Sequence, residues 1–218
     1  MAGIAGLGAE LLLSDGATVP SYNLIANVTN IGGPSLKLDV EDVTSHESTG
    51  GWEEVVATIL RTGEVTLEIN YDPTSLMHKI GIGASKAITA VNIADDKFSI
   101  AGDYSALFIA GLHFRVSGST GNDGSWEVVA SVYGAPTLVI EVVEDVTDAT
   151  VDGNIIVTTL PMALQERVEV DCILRFPDTA STEWTFSGYV TAFEPGAPYD
   201  GKMTASVALK LSGVPTLV

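Results

Sequence analysis

The chain carries one cysteine, Cys172, in 218 residues. A lone thiol excludes a disulfide framework, and with it any argument for folding in an oxidising compartment. Basic side chains are scarce as well, 10 against 28 acidic ones, which leaves a net charge of -18 at pH 7. A surface of that sign repels phosphate and argues against tight electrostatic binding of nucleic acid. No long apolar run is present: Met1 to Leu13 lacks a basic region and is interrupted by Glu10, so it reads as neither a secretory signal nor a membrane span. The expectation is a protein made in cytosol with no stable membrane association.

Catalytic constellations are missing too. His46, His78 and His113 fall in unrelated stretches with no zinc spacing and read as structural or solvated. Gly3 to Gly8 and Gly81 to Lys86 are glycine-rich, but neither follows a strand and opens a helix as phosphate cradling requires. Gly121-Asn-Asp-Gly124 lacks the acidic series of a calcium loop and reads as a turn. The sequence therefore predicts no enzyme, no metal and no cofactor.

What is present is strand pattern. With 46% hydrophobic residues the chain can bury a proper core. In Lys202 to Leu211 the residues Met203, Ala205, Val207, Leu209 and Leu211 alternate with polar or small ones, the period of a strand with one buried face. The stretch from Trp184 to Tyr189 leads into the same hairpin across Glu194-Pro-Gly-Ala-Pro-Tyr-Asp-Gly201, a run of turn residues. Ser35 to Val43 and Glu64 to Tyr71 alternate likewise, which predicts Leu36, Leu38 and Val40 facing inward, and Cys172 sits in the inward row of Val168 to Phe176. Between Val43 and Glu64 runs a polar connection, Thr44 to Gly63, far longer than the two to five or so residues that close a hairpin. Asp72-Pro73 predicts a helical turn through Leu76, Met77 and Ile80, and Leu160 to Glu166 a second one.

Residues from about Ala87 to Thr158 are written differently, as short strands at near-regular spacing with Gly-Asn-Asp-Gly and Asp-Gly turns. This predicts a small β-barrel or sandwich, residues 87–158, inserted into a host domain made of residues 1–86 and 159–218. The fold class expected is mainly all-β: two packed sheets or a barrel-like host flanked by a short helix, plus the inserted β domain. Both parts are acidic.

Ile25 to Ser48, Gly51-Trp-Glu-Glu54, Gly63-Glu-Val-Thr-Leu-Glu-Ile-Asn-Tyr-Asp-Pro73 and the hairpin from Phe186-Ser-Gly-Tyr-Val190 to Ser212-Gly213 resemble the major tail tube proteins of long-tailed, lambda-like bacteriophages. The resemblance covers most of the host halves and leaves the insert unmatched. It implies a virion protein assembled in the bacterial cytoplasm, in hexameric rings that stack into a non-contractile tail tube around a tape-measure protein. Tail terminator and tail-tip or baseplate proteins would be its other partners, and double-stranded DNA would pass through transiently. The resemblance further implies three features that physical reasoning accommodates: open sheet edges pairing between copies, an inter-ring loop with Thr44, Ser45, Gly51, Trp52, Glu53, Glu54, Val56 and Leu60 reaching the next ring, where the residues alone would read as packing on their own subunit, and an acidic lumen face with Asp39, Glu41, Glu64 and Glu68 on which DNA slides.

The insert is expected to project from the tube exterior, because six bodies with radii of gyration of roughly 11 Å would block a channel that passes a duplex. Two alternatives remain open. One is an acidic β-sandwich that binds glycans or a cell surface through Trp126, Tyr133 and Phe114. The other is the inner tube of a contractile injection or secretion device, which a co-assembling sheath would distinguish.

Overall fold

A computed structural model of the chain describes residues 8–45, 50, 52–75, 78 and 85–217. It is an all-β protein of two closed barrels and one two-stranded ribbon. The first barrel is ordered β1 (Glu10–Ser14), β12 (Glu169–Arg175), β13 (Glu183–Gly196), β14 (Thr204–Leu217), β5 (Glu64–Asn70) and β2 (Tyr22–Gly32), with β2 returning to β1. Every pairing is antiparallel.

Alternation explains its core. Val65, Leu67 and Ile69 of β5 stand opposite Leu209, Val207 and Ala205 of β14, and all six are buried. Leu13, Cys172 and Phe186 line up across β1, β12 and β13 in the same way. Burial pushes the Cys172 thiol up, with the Asp171 carboxylate adding to the shift. The barrel-like form of the host is the one adopted, and its closure corrects the expectation of open sheet edges pairing between copies: among the described residues this domain offers no free strand edge.

The second barrel takes its strands from the middle of the chain, in the order β10 (Thr137–Val142), β7 (Lys97–Ala101), β6 (Lys86–Asn92), β11 (Asn154–Ile156), β8 (His113–Ser117) and β9 (Gly124–Gly134). Its first strand starts at Lys86, one residue before the expected boundary. The core is aromatic. Phe98 meets Trp126 edge-on at 5.0 Å between ring centroids, and Phe114 meets Phe108 at 5.6 Å, geometries that favour the ring quadrupoles.

The single α-helix among the described residues is α1 (Leu160–Glu166). Thr159 caps it by accepting from the Met162 N–H at 3.3 Å, Pro161 fits the first turn, and Arg167 ends it in the left-handed region at φ 56°. Leu160 and Ala163 join the core of the first barrel. Of the helical turn expected after Asp72, Pro73 and Thr74 form a turn and His78 is 3-10 helical, with Leu76, Met77 and Ile80 outside the described residues. Asp72 accepts from the Thr74 N–H and hydroxyl, and the His78 N–H donates to the Ser75 carbonyl at 3.2 Å in a 3-10 conformation. His78 beside it is buried and satisfied, its Nδ1 accepting from the Asp72 N–H and its Nε2 bonded to the Ile25 carbonyl.

The barrels join between the β1–β2 turn and β8. The buried Asn23 side chain donates to the His113 carbonyl and accepts from the His113 N–H, both at 2.7 Å. Arg115 donates to the Gly16 carbonyl at 2.8 Å, and the Thr158 hydroxyl to the Asp15 carbonyl at 3.3 Å.

Candidate assembly surface

The feature that the barrels do not account for is the ribbon of β3 (Leu36–Asp42) and β4 (Val55–Thr62). The sequence pattern suggested that Leu36, Leu38 and Val40 line a core. They are instead 60%, 46% and 54% exposed. Their alternation is real, but the strand that pairs with β3 comes from within the connection itself, so the two arms pair with one another and leave the barrel. The expected irregular loop is therefore half strand: β4 occupies residues 55–62, and only the tip remains between them.

Register sorts the ribbon into two faces. Leu36, Leu38 and Val40 stand opposite Thr62, Leu60 and Ala57, giving an apolar face. Lys37 and Glu41 stand opposite Arg61 and Val56 on the other. A bulge between Leu38 and Val40 brings Asp39 to Arg61, whose Nε donates to its carboxylate, and Lys37 lies 3.7 Å away. The Arg61 hydrogen bond holds the Asp39 carboxyl below its ordinary value. An amphipathic ribbon of this kind is ordinarily covered on its apolar side. Here Leu60 is 77% exposed, and its neighbours Val55, Val56 and Ile59 are exposed as well.

The root is fixed. The Gly63 N–H donates to the Ser35 carbonyl at 2.7 Å, the Leu211 N–H to the Gly63 carbonyl at 3.3 Å, and the Thr62 hydroxyl to the Leu211 carbonyl at 3.2 Å. Gly63 is required by close approach, because a Cβ there would stand 2.4 Å from the Ser35 carbonyl oxygen. The tip is organised too. Val43 donates its N–H to the Glu54 carbonyl at 2.8 Å, the Glu54 N–H donates to the Thr44 hydroxyl at 2.9 Å, and the Thr44 N–H donates to Asp42 at 2.8 Å. Trp52 is 79% exposed beyond it, and Ser45 and Glu53 are exposed. Gly51, expected in this loop, and His46 lie outside the described residues.

Of the expected acidic face, Asp39 and Glu41 are on the ribbon, whereas Glu64 and Glu68 are on the outer side of β5 in the barrel wall. The structure thus divides these four between two places. Around Glu64 and Glu68 the wall is polar and small: Ser206 and Lys210 of β14 stand opposite them, with Thr66 and Ala208 between.

The aromatic patch expected on the insert is corrected by burial. Trp126 is 7% exposed, with its indole N–H donating to the Asn122 carbonyl at 3.0 Å, and Phe114 is fully buried. Both lie on the inward parity of their strands, packed on Phe98. Tyr133, at 38%, is the one of the three that reaches the surface. No group of His, Cys, Asp and Glu side chains that would hold a metal occurs among the described residues, and no described helix is long and apolar enough to cross a membrane.

No protein-family model matches the sequence, and no curated protein matches it. Among solved structures, the chain is similar to a chain in the cryo-EM structure of the anti-feeding prophage baseplate, 6-fold symmetrised. The TM-score is 0.43 and the identity 9%, over 100% of this chain and 96% of that one. A likeness of that degree carries no argument about function.

Proposed function

We propose that the protein is a self-assembling structural subunit of a phage-type tail, whose copies form rings that stack into a tube through the β3–β4 ribbon. The observation that carries this reading is the ribbon's uncovered apolar face, Leu36, Leu38, Val40, Ala57 and Leu60, on an arm tied firmly to the barrel at its root. Each large aliphatic side chain buried there contributes roughly 1.5–3 kcal/mol. An arm of that kind is stable when a neighbour covers it.

A closed barrel has no border strands to share, so lateral and axial contacts fall to the ribbon, whose two outer edges are unpaired among the described residues, and to the barrel walls. Ring number six, the tape-measure partner and passage of DNA follow from the resemblance of the host segments to tail tube proteins and are part of the proposal. The net charge of -18 suits a conduit to which DNA does not adhere. The glycan-binding alternative loses its aromatic platform with the burial of Trp126 and Phe114.

Negative-stain microscopy of the purified full-length chain tests the proposal. Rings or hollow filaments are expected, and a field of isolated particles in the size range of one chain, under crowding and low salt alike, contradicts it.

A further inference from the structure

At the junction of the two barrels lies a groove of about 410 Å³. Its walls are Asn23 and Leu24 at the start of β2, the turn at Thr74 and Ser75, and the insert segment around Ala106, Leu107, Ile109 and Leu112. Leu24 is 50% and Ile109 63% exposed, so two large aliphatic side chains face solvent beside it. We propose that this groove is the receiving site for the tip of the ribbon of a second copy, with Trp52 seated between Leu24 and Ile109. The inference rests on the assembly reading above and adds where the arm docks.

Three observations select a second copy as the occupant. The first is position. The ribbon leaves the barrel at Gly32 and Glu64, whereas the groove lies at Asn23 and Leu24, at the other end of the same strand, and at the turn that follows β5. Eight residues of strand separate Leu24 from Gly32, roughly 25 Å at about 3.3 Å per residue. Arm and groove therefore face opposite ends of the barrel. A molecule with a projecting apolar part at one end and an apolar recess at the other associates head to tail, and such contacts propagate instead of closing on a pair.

The second is charge. No residue lining the groove is ionisable, in a chain of net charge -18. Copies that repel one another everywhere else can meet there without bringing carboxylates together. The ribbon's apolar face carries one carboxylate, Asp42 opposite Val55 at the tip, while Lys37, Asp39, Glu41 and Arg61 are gathered on the other side.

The third is chemistry at the tip. Trp52 is the most exposed residue of its size on the arm, an aromatic anchor of the type that dominates protein contacts when desolvated. Its indole N–H needs an acceptor on burial, and the hydroxyls of Thr74 and Ser75 border the groove.

The groove also gives the insert a part in assembly. Its inner wall belongs to the segment just before β8, and the Asn23–His113 hydrogen bonds hold that wall to β2. The insert thus completes the receiving site while the rest of it remains free of the contact.

Cysteine trapping tests the inference. Cys172 is buried, so Glu53→Cys beside Trp52 and Ala110→Cys on the groove wall, both at exposed positions, are the reactive thiols of the full-length chain and leave Trp52, Leu24 and Ile109 in place. With a short bis-maleimide, the double variant is expected to give a ladder of covalent dimers, trimers and higher species, and each single variant none beyond a dimer. A charged groove, Leu24→Asp with Ile109→Asp, changes two exposed side chains and leaves the core intact. It is expected to raise the concentration needed for assembly by about tenfold or more, since a carboxylate would be carried into an apolar contact. Absence of the ladder together with normal assembly of the charged variant overturns the groove as the docking site and leaves the assembly reading standing. Absence of any assembly in the unmodified chain overturns both.

Discussion

Asn23 and His113, 90 residues apart in sequence, exchange two hydrogen bonds of 2.7 Å in which a buried side-chain amide takes the place of a strand neighbour. This pair fastens one barrel to the other. Asn23→Ala removes both bonds and leaves the His113 N–H and carbonyl unpaired, at about 1–3 kcal/mol for each orphaned group. Thermal unfolding followed by circular dichroism is expected to show a loss of about 2–6 kcal/mol. Faster amide exchange should be confined to the segment around His113, with the β5–β14 ladder unchanged.

Gly63→Ala tests the root of the arm. The added methyl would collide with Ser35, whose hydroxyl and carbonyl both stand closer than real Cβ contacts allow. The barrel core does not include this position, so the variant is expected to fold with a displaced ribbon. Loss of the Gly63–Ser35 hydrogen bond, read by amide exchange at Gly63, and impaired assembly with normal secondary structure are the expected results.

Trp52→Ser combined with Val56→Thr removes apolar contact area from the arm without touching a buried residue. Polymerisation should stop and a folded monomer remain, as measured by light scattering and circular dichroism. Normal polymers from this double variant would remove the arm from the account.

Cys172 gives an internal gauge of the first barrel. Its thiol is buried and held above its ordinary value by desolvation, so a maleimide reagent should fail to label the native protein and should label it on unfolding. The linkage sign follows: the native state keeps a proton that the unfolded chain releases above about pH 8.5, so the contribution is complete below that pH and lost as pH rises. The stability difference between the parent and Cys172→Ala is expected to fall by about 1.4 kcal/mol per pH unit above that point.

The sequence was most legible where burial and alternation coincide. The inward row of β14, Ala205, Val207, Leu209 and Leu211, and the inward position of Cys172 could be read directly from period two. Period two says that a strand has an apolar face, however, and not what covers it, which is why Leu36, Leu38 and Val40 were assigned to a core they do not enter. β4 was hidden because Val55 to Leu60 carries apolar residues on both faces and so shows no alternation. Closure of the first barrel rests on β1 pairing with β12, Leu11 opposite Leu174, a contact across most of the chain that local pattern does not contain. Trp126 is legible as a core residue only from its parity with Val128 two positions on, which shares its burial; its aromatic character alone points to the surface.

Deleting residues 87–158 removes the strands of the second barrel after Lys86 and none of the six that close the first. If the insert projects outward, the remaining chain folds and any tubes it forms keep their bore with a smaller outer diameter. The docking inference adds that these tubes should form less readily, because one wall of the groove goes with the insert. Tubes of narrower bore would contradict the outward placement.

The claim on which the rest depends is that the uncovered ribbon makes this chain associate with copies of itself. Sedimentation velocity across a wide concentration range, alone and with tape-measure and tail-initiating partners, reads it directly. The account predicts ring-sized and larger species that grow with concentration and disappear in the Trp52 and Val56 double variant. A single species of monomer size throughout, indifferent to concentration, partners and the state of the arm, would contradict it.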